Sequence, residues 1–230
     1  MVGNCKRKFS ILGDSLSTLE GFSEPRDAFY YSYGKGCETG VVTVADTWWG
    51  MVIDRLDGEL LVNNSFYGSM VHKHRGCDIP SYACSDERTS ALGREGAKPD
   101  VIMISVGTND WGCGVLPKPR EWGLSDSSVF SVAYDEMLRK LKNNYPMAEI
   151  WCITPFAGIC RNNPEFVFPY LYAGRHIEEY CNVISECAEQ HGCRLFDLYR
   201  CPHAIDTVDG FHPNREGMSI IADFVIERAR

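Results

Sequence analysis

Apolar residues along this chain recur in two different periods. Short strand-like runs stand at 8–13, 59–65, 101–106, 149–154 and 194–198, most of them bounded by glycine, proline or charged residues. The clearest is Val101-Ile102-Met103-Ile104-Ser105-Val106, introduced by Pro99 and Asp100. It is apolar on both faces, which predicts a central, parallel strand. Between the runs, apolar residues return every three or four positions. Trp48, Trp49, Val52, Ile53 and Leu56 do so within 45–57, and Phe130, Tyr134, Met137, Leu138 and Leu141 within 129–145. Ile177, Tyr180, Cys181, Ile184, Cys187 and Ala188 repeat it within 172–191, and Met218, Ile221, Ala222 and Val225 near the carboxyl end. That spacing places one buried stripe on each of four helices, and a shorter helix is expected at 85–92. The paired tryptophans share such a stripe and are expected to anchor the core. Segments 16–44 and 155–171 follow neither period. The first is read as an ordered loop or short hairpin, the second as a long loop.

Strands alternating with helices predict an α/β fold, a parallel sheet covered on both faces. At 230 residues and 44% hydrophobic, the chain can bury a full core. One domain over residues 1–230 is expected, without repeats or linkers. The net charge of -8 and a pI near 5.3 leave Lys6-Arg7-Lys8 as the one basic run. Nucleic acid and anionic membrane surfaces are therefore not expected partners. No apolar segment has the length of a membrane span, and no secretory apolar region stands near the amino terminus. As written, the chain is expected in the cytoplasm, with a trimmed signal peptide left open. The eleven cysteines are odd in number and form no Cys-x-x-Cys pair. They are read as reduced thiols, with Cys152 in a strand and Cys181 and Cys187 on a helix stripe. His72-Lys73-His74 is the one metal-like cluster. Lacking a matching carboxylate or cysteine pair, it is read as a polar loop, and no metal is expected.

Four polar turns stand out because each falls at a strand's carboxyl end or just before the last helix. They are Gly13-Asp14-Ser15, the Asn63-to-Gly68 turn, Gly107-Thr108-Asn109-Asp110-Trp111 and Asp209-Gly210-Phe211-His212-Pro213. In an open α/β sheet such positions converge on one edge. Ser15 needs a base before it can attack, since a free hydroxyl is a poor nucleophile. His212 is the best of six histidines, because Pro213 disfavours a helical backbone at the residue before it. Asp209 could reach back to the imidazole and fix its tautomer. The alternative is that Asp209 and His212 only cap the terminal helix. Acyl transfer also needs donors for an oxyanion. The Asn109 side chain, the Gly68 N–H and the Ser15 N–H could supply them. Alternatively, Asn109 serves its own turn and Gly68 its own backbone angles.

Taken in this order on a five-stranded α/β pattern, these residues resemble the SGNH, or GDSL, hydrolase family over nearly the whole chain. The resemblance implies a three-layer α/β/α sandwich with flavodoxin-like strand order 2-1-3-4-5. It implies Ser15 as nucleophile, His212 as general base, Asp209 as its orienting partner, and Ser15, Gly68 and Asn109 as the oxyanion hole. No cofactor is implied. The loop after Ser15 is longer than in compact members, and the absence of Gly-x-Ser-x-Gly argues against the larger α/β-hydrolase family. The expected activity is that of a serine ester hydrolase working through an acyl-enzyme on a small-molecule or carbohydrate ester. Tyr30, Tyr31, Tyr33, Trp111, Trp122, Phe166, Phe168 and Tyr170, on loops after the first, third and fourth strands, are expected around the site. Such rings either contact sugar or pin their loops. With no aliphatic loop beside Ser15, they favour a short acyl group, most simply acetyl, and Trp111 is the leading substrate contact. Rivals are a lysophospholipase or thioesterase of the same family and a non-catalytic domain keeping the site as a ligand pocket. The oligomeric state is left open.

Overall fold

Five parallel strands form the centre of the computed structural model, which describes residues 6–23, 28–34, 36–72, 82–119 and 128–230. They are β1 (Arg7–Gly13), β2 (Gly58–Ser65), β3 (Val101–Ser105), β4 (Glu149–Ile153) and β5 (Arg194–Phe196). Their spatial order is β2-β1-β3-β4-β5, as the family resemblance implies. β1 is central because Phe9, Ile11 and Leu12 are buried on both faces, and it pairs with β2 on one side and β3 on the other. β2 lies at the edge, mostly half-buried, and its register with β1 shifts between Phe9 and Ser10.

Strict alternation along the strands feeds two cores. Phe9, Ile11, Val101, Met103, Trp151, Ile153 and Phe196 point to one face, where α1 (Trp48–Arg55) brings Trp48, Trp49 and Val52. The last helix, here α6 (Arg215–Ala229), lays Met218, Ile221, Ala222 and Val225 on the same face. Leu12, Ile102, Ile104, Ile150 and Cys152 point the other way. They meet α4 (Phe130–Asn144) and α5 (Ile177–Gln190), with the short helices α2 (Asp86–Ser90) and α3 (Thr108–Gly112) beside them. The result is a three-layer sandwich. Helix starts follow side-chain caps: Thr47 accepts from the Gly50 N–H, Ser85 from Arg88 and Asn214 from Gly217.

Two expectations need correction. The helix expected from residue 172 begins only at Ile177. Residues 171–176 instead form a small antiparallel hairpin, Leu171–Tyr172 against Arg175–His176. Ala173 and Gly174 turn it with φ of 48° and 73°, which helix cannot accommodate. His176 then caps α5, and the Glu179 carboxylate accepts its N–H in return. The loop expected over 155–171 contains Gly158–Ile159, which pairs in parallel with Ile205–Asp206 outside the main sheet. In the segment after Ser15, the described residues include a 3-10 turn at Ser15–Ser17 and a short helix at Gly36–Thr39. Eight cysteines, from Cys84 to Cys201, are free thiols. Cys5, Cys77 and the side chain of Cys37 lie outside the described residues. No described helix is long and apolar enough to cross a membrane.

Candidate active site

β1 ends at Gly13 because nothing larger fits. A Cβ there would stand 2.6 Å from Ser65 Oγ and 2.8 Å from Ser17 Cβ. The chain turns at once, with Asp14 Oδ1 accepting from the Leu16 N–H at 3.0 Å and the Asp14 N–H donating to the Ser105 carbonyl at 3.1 Å. The turn carrying Ser15 is thereby fastened to the end of β3. Ser15 Oγ then lies 3.0 Å from His212 Nε2.

His212 stands just before α6, opposite Asp209. Asp209 Oδ2 is 2.8 Å from His212 Nδ1, while Oδ1 accepts the backbone N–H groups of Phe211 and His212 at 2.9 and 2.7 Å. Gly210 makes this turn possible, with φ at 93° and the Phe166 ring packed where a Cβ would be. Because Asn214 caps α6, the alternative that Asp209 and His212 serve as its caps falls away. Burial pushes the Asp209 carboxyl up, but the bonds and charge of His212 and the two backbone donors outweigh it and hold its pKa at about 2. A permanent carboxylate can only accept, so Nδ1 carries the proton and Nε2 offers its lone pair to the Ser15 hydroxyl.

Asn109 enters from α3, immediately after β3. Its amide donates one hydrogen to the Ser69 carbonyl at 3.0 Å, which leaves the second hydrogen of the NH₂ group. The turn carrying Gly68 is bonded in turn to the end of β1, Phe66 N–H to the Gly13 carbonyl at 3.3 Å. Gly68 has φ of 69° with open space in front of its Cα. The structure therefore brings together Ser15, Asp209, His212, Asn109 and the Gly68 turn from four separate segments.

A buried arginine that the sequence reading passed over organises this corner. Arg88, in α2, donates to the carbonyls of Gly13 and Asn64 at 3.0 and 2.7 Å, to Asn64 Oδ1 at 2.8 Å and to Ser69 Oγ. Its guanidinium also lies 4.7 Å from the centre of the Phe66 ring. It clamps the end of β1 to the end of β2 and to the Gly68 turn. Only a lone arginine on an otherwise ordinary short helix hinted at it. Asp14 and Asp110 lie buried nearby. Burial, opposed by the Leu16 N–H and increased by the Asp110 charge, raises Asp14 to about 7. Burial also raises Asp110, although His72 and Val71 bond to it. Of the expected polar loop, His72 stands in a bend, as a loop residue, but is buried. His72 is 4% exposed, with Nδ1 at 3.0 Å from Asp110 Oδ1, because a carboxylate without water needs a donor. Lys73 and His74 lie outside the described residues. Among the described residues no cluster of His, Cys, Asp or Glu could hold a metal.

A cavity of about 450 Å³ opens on Ser15, His212 and Asn109, walled by Leu16, Trp111, Pro169, Tyr172 and Phe211. Trp111 lies in this wall but is 2% exposed, with its indole N–H donating to the Arg175 carbonyl at 3.1 Å and its ring stacked 5.7 Å from Phe168. Nearly all of its surface is therefore spent pinning the wall. Of the other expected rim rings, Tyr31 and Phe168 are buried, Tyr33 and Tyr170 are exposed, Phe166 packs on Gly210, and Trp122 lies outside the described residues. Tyr30 lies against His212. Phe211 and Tyr172, not singled out from the sequence, supply more of the wall. Phe211 had a signal in its position between Asp209 and His212, whereas Tyr172 was hidden by the helix expected there.

A family model described as GDSL-like Lipase/Acylhydrolase matches residues 7–229. Among solved structures, a protein described as a GDSL-like lipase from Bacteroides ovatus is 28% identical, with 96% of each chain covered and a TM-score of 0.71. A second so described, from Bacteroides uniformis, is 31% identical, covering 96% of this chain and 94% of its own, with a TM-score of 0.68. A carbohydrate acetylesterase family member from Sinorhizobium meliloti shares the fold at 16% identity, with 97% of each chain covered and a TM-score of 0.62. No curated protein matches by sequence.

Proposed function

This chain belongs to the GDSL-like lipase/acylhydrolase family, an ester hydrolase, and from that premise we propose that Ser15 carries the acyl group, which is short and comes from a carbohydrate or similar polar alcohol. The observation that carries the reading is the line of bonds from Ser15 Oγ through His212 to Asp209, opening on the aromatic cavity. Ser15 Oγ attacks the ester carbonyl as His212 Nε2 takes its proton. The oxyanion that forms is met by the N–H groups of Ser15 and Gly68 and by the second amide hydrogen of Asn109. Collapse breaks the bond to the alcohol oxygen, which leaves with the proton from His212. Water then enters by the same route and releases the acid, restoring Ser15. Asp209 stays ionised and stabilises the imidazolium in both halves.

The substrate part of the proposal rests on the wall. Beside the serine the aliphatic groups are Leu16 and Pro169. The other walls are aromatic, Tyr172, which is half exposed, and Phe211, with Trp111 buried behind them. Flat rings suit the C–H faces of a sugar, and the volume exceeds what an acetyl group fills, leaving room for the alcohol. A fluorophosphonate is expected to label Ser15 and to leave the Ser15→Ala variant unlabelled. Across nitrophenyl esters, kcat/KM is expected to peak at acetyl or propionyl and fall by octanoyl, and acetylated monosaccharides are expected to be cleaved. A steady rise toward octanoyl would place the enzyme among lipid-directed members instead.

A further inference from the structure

The ring of Tyr30 lies nearly parallel to the imidazole of His212, at 12° with ring centres 3.5 Å apart. Tyr30 comes from the segment after β1 and does not line the cavity. It therefore covers an imidazole face away from the substrate space. Burial first, then the negative charge of Asp209, raises the Tyr30 hydroxyl to about 12. The ring is itself held from behind. Tyr67 stacks on it at 6.2 Å and 23°, and Phe29 meets it edge-on at 5.1 Å. Tyr67 immediately precedes Gly68 in the chain.

From this geometry we infer that Tyr30 is a positioning residue, which fixes the imidazole plane of His212 and couples it to the turn carrying Gly68. The inference rests on the assignment of Ser15 and His212 given above. The two hydrogen bonds of His212 hold its edges, but neither resists a tilt about the Nδ1–Nε2 line. A ring stacked at van der Waals distance does. It also keeps water off that face, and its negative π surface favours the imidazolium that forms when Ser15 gives up its proton. The effect belongs to proton transfer, so it falls on kcat and not on substrate binding. Continuity from Tyr67 to Tyr30 to His212 means that the base and one oxyanion donor are referenced to the same stack.

Three variants separate ring from hydroxyl. Tyr30→Phe keeps the stack and removes only the hydroxyl. Tyr30→Leu fills the space without a π face, and Tyr30→Ala removes both. On nitrophenyl acetate, Leu and Ala are expected to lower kcat about tenfold with KM within about twofold of wild type. Phe is expected to lower kcat about twofold to threefold. Fluorophosphonate labelling, which needs the activated serine but little of the substrate site, is expected to slow by the same factors, and folding is checked by thermal melting. A rise in KM with unchanged kcat and labelling rate would make Tyr30 a substrate contact and overturn the inference. Phe behaving like Ala would overturn it as well, by assigning the effect to the hydroxyl. Failure of the fluorophosphonate to label Ser15 in wild type would strike the underlying assignment, not the role of Tyr30.

Discussion

Replacing Asp209 by asparagine is expected to damage the enzyme more than replacing it by alanine, and the reason lies in how the carboxylate is used. Oδ1 accepts two backbone N–H groups while Oδ2 faces the protonated Nδ1 of His212. Asparagine has one acceptor oxygen for these three donors. If the oxygen stays with the two backbone groups, the NH₂ group faces the imidazole. The imidazole must then move its proton to Nε2, where it can no longer accept from Ser15. If the oxygen turns to the imidazole, two buried N–H groups face an NH₂ group instead. The difference is two partly buried hydrogen bonds, about 1–3 kcal/mol in favour of the inactive arrangement. Loss of the negative charge opposite the imidazolium forfeits a further charge-assisted bond of about 1.5–3 kcal/mol. Together these correspond to about 10²–10⁴ in kcat. Alanine leaves both tautomers available and forfeits only the second contribution, about 10–10². Steady-state hydrolysis of nitrophenyl acetate by the two variants, with folded fraction matched by circular dichroism, measures the order directly. An asparagine variant as active as the alanine variant, or more so, would refute the tautomer argument.

Two further outcomes follow from the same corner of the molecule. Asn109→Ala is expected to lower kcat about 10²–10³ with little change in KM, and a rise confined to KM would make Asn109 a ground-state contact. For Asp14, the folded pKa of about 7 exceeds the ordinary 3.8, so the native state holds a proton that the unfolded chain has already released. Its contribution is complete below pH 4 and is lost as pH rises through 7. Asp14→Asn keeps an acceptor for Leu16 and is expected to melt higher than wild type at pH 8 but equally at pH 4; a uniform shift at both pH values would refute the linkage.

The sheet was legible because its strands carry unbroken apolar runs bounded by turn residues, and 101–106 needed nothing else to be placed at the centre. The four long helices were legible from their stripes, with ends set by Thr47, His176 and Asn214. What escaped was set by contacts distant in sequence. Nothing local distinguishes Tyr30, which rests on His212, from Tyr33, which stands exposed. Arg88 reads as a surface residue of a short helix until Gly13, Asn64 and Ser69 surround it. The hairpin at 171–176 was lost because the segment was read as the first turn of α5, while Ala173 and Gly174 adopt a backbone that composition alone does not announce. At the site, the residue types and their order were readable. Their partners, such as the two backbone donors on Asp209 and the Ser69 carbonyl under Asn109, were not.

The bond between Ser15 and His212 joins residues 197 positions apart, nearly the full length of the chain, whereas Asp209 and His212 are joined within a single turn. The acid–base pair can therefore form locally and early, as soon as its own few residues find their turn. Ser15 meets it only when α6 has docked on the same sheet face as α1 and closed a loop that encloses four of the five strands. Closing so long a loop is entropically costly, though only logarithmically more so than closing a shorter one. Catalytic competence is thus a property of the finished chain and of no fragment of it. On the proposed assignment, partly folded species, with most of the sheet assembled but the carboxyl-terminal helix adrift, hold Ser15 without its base.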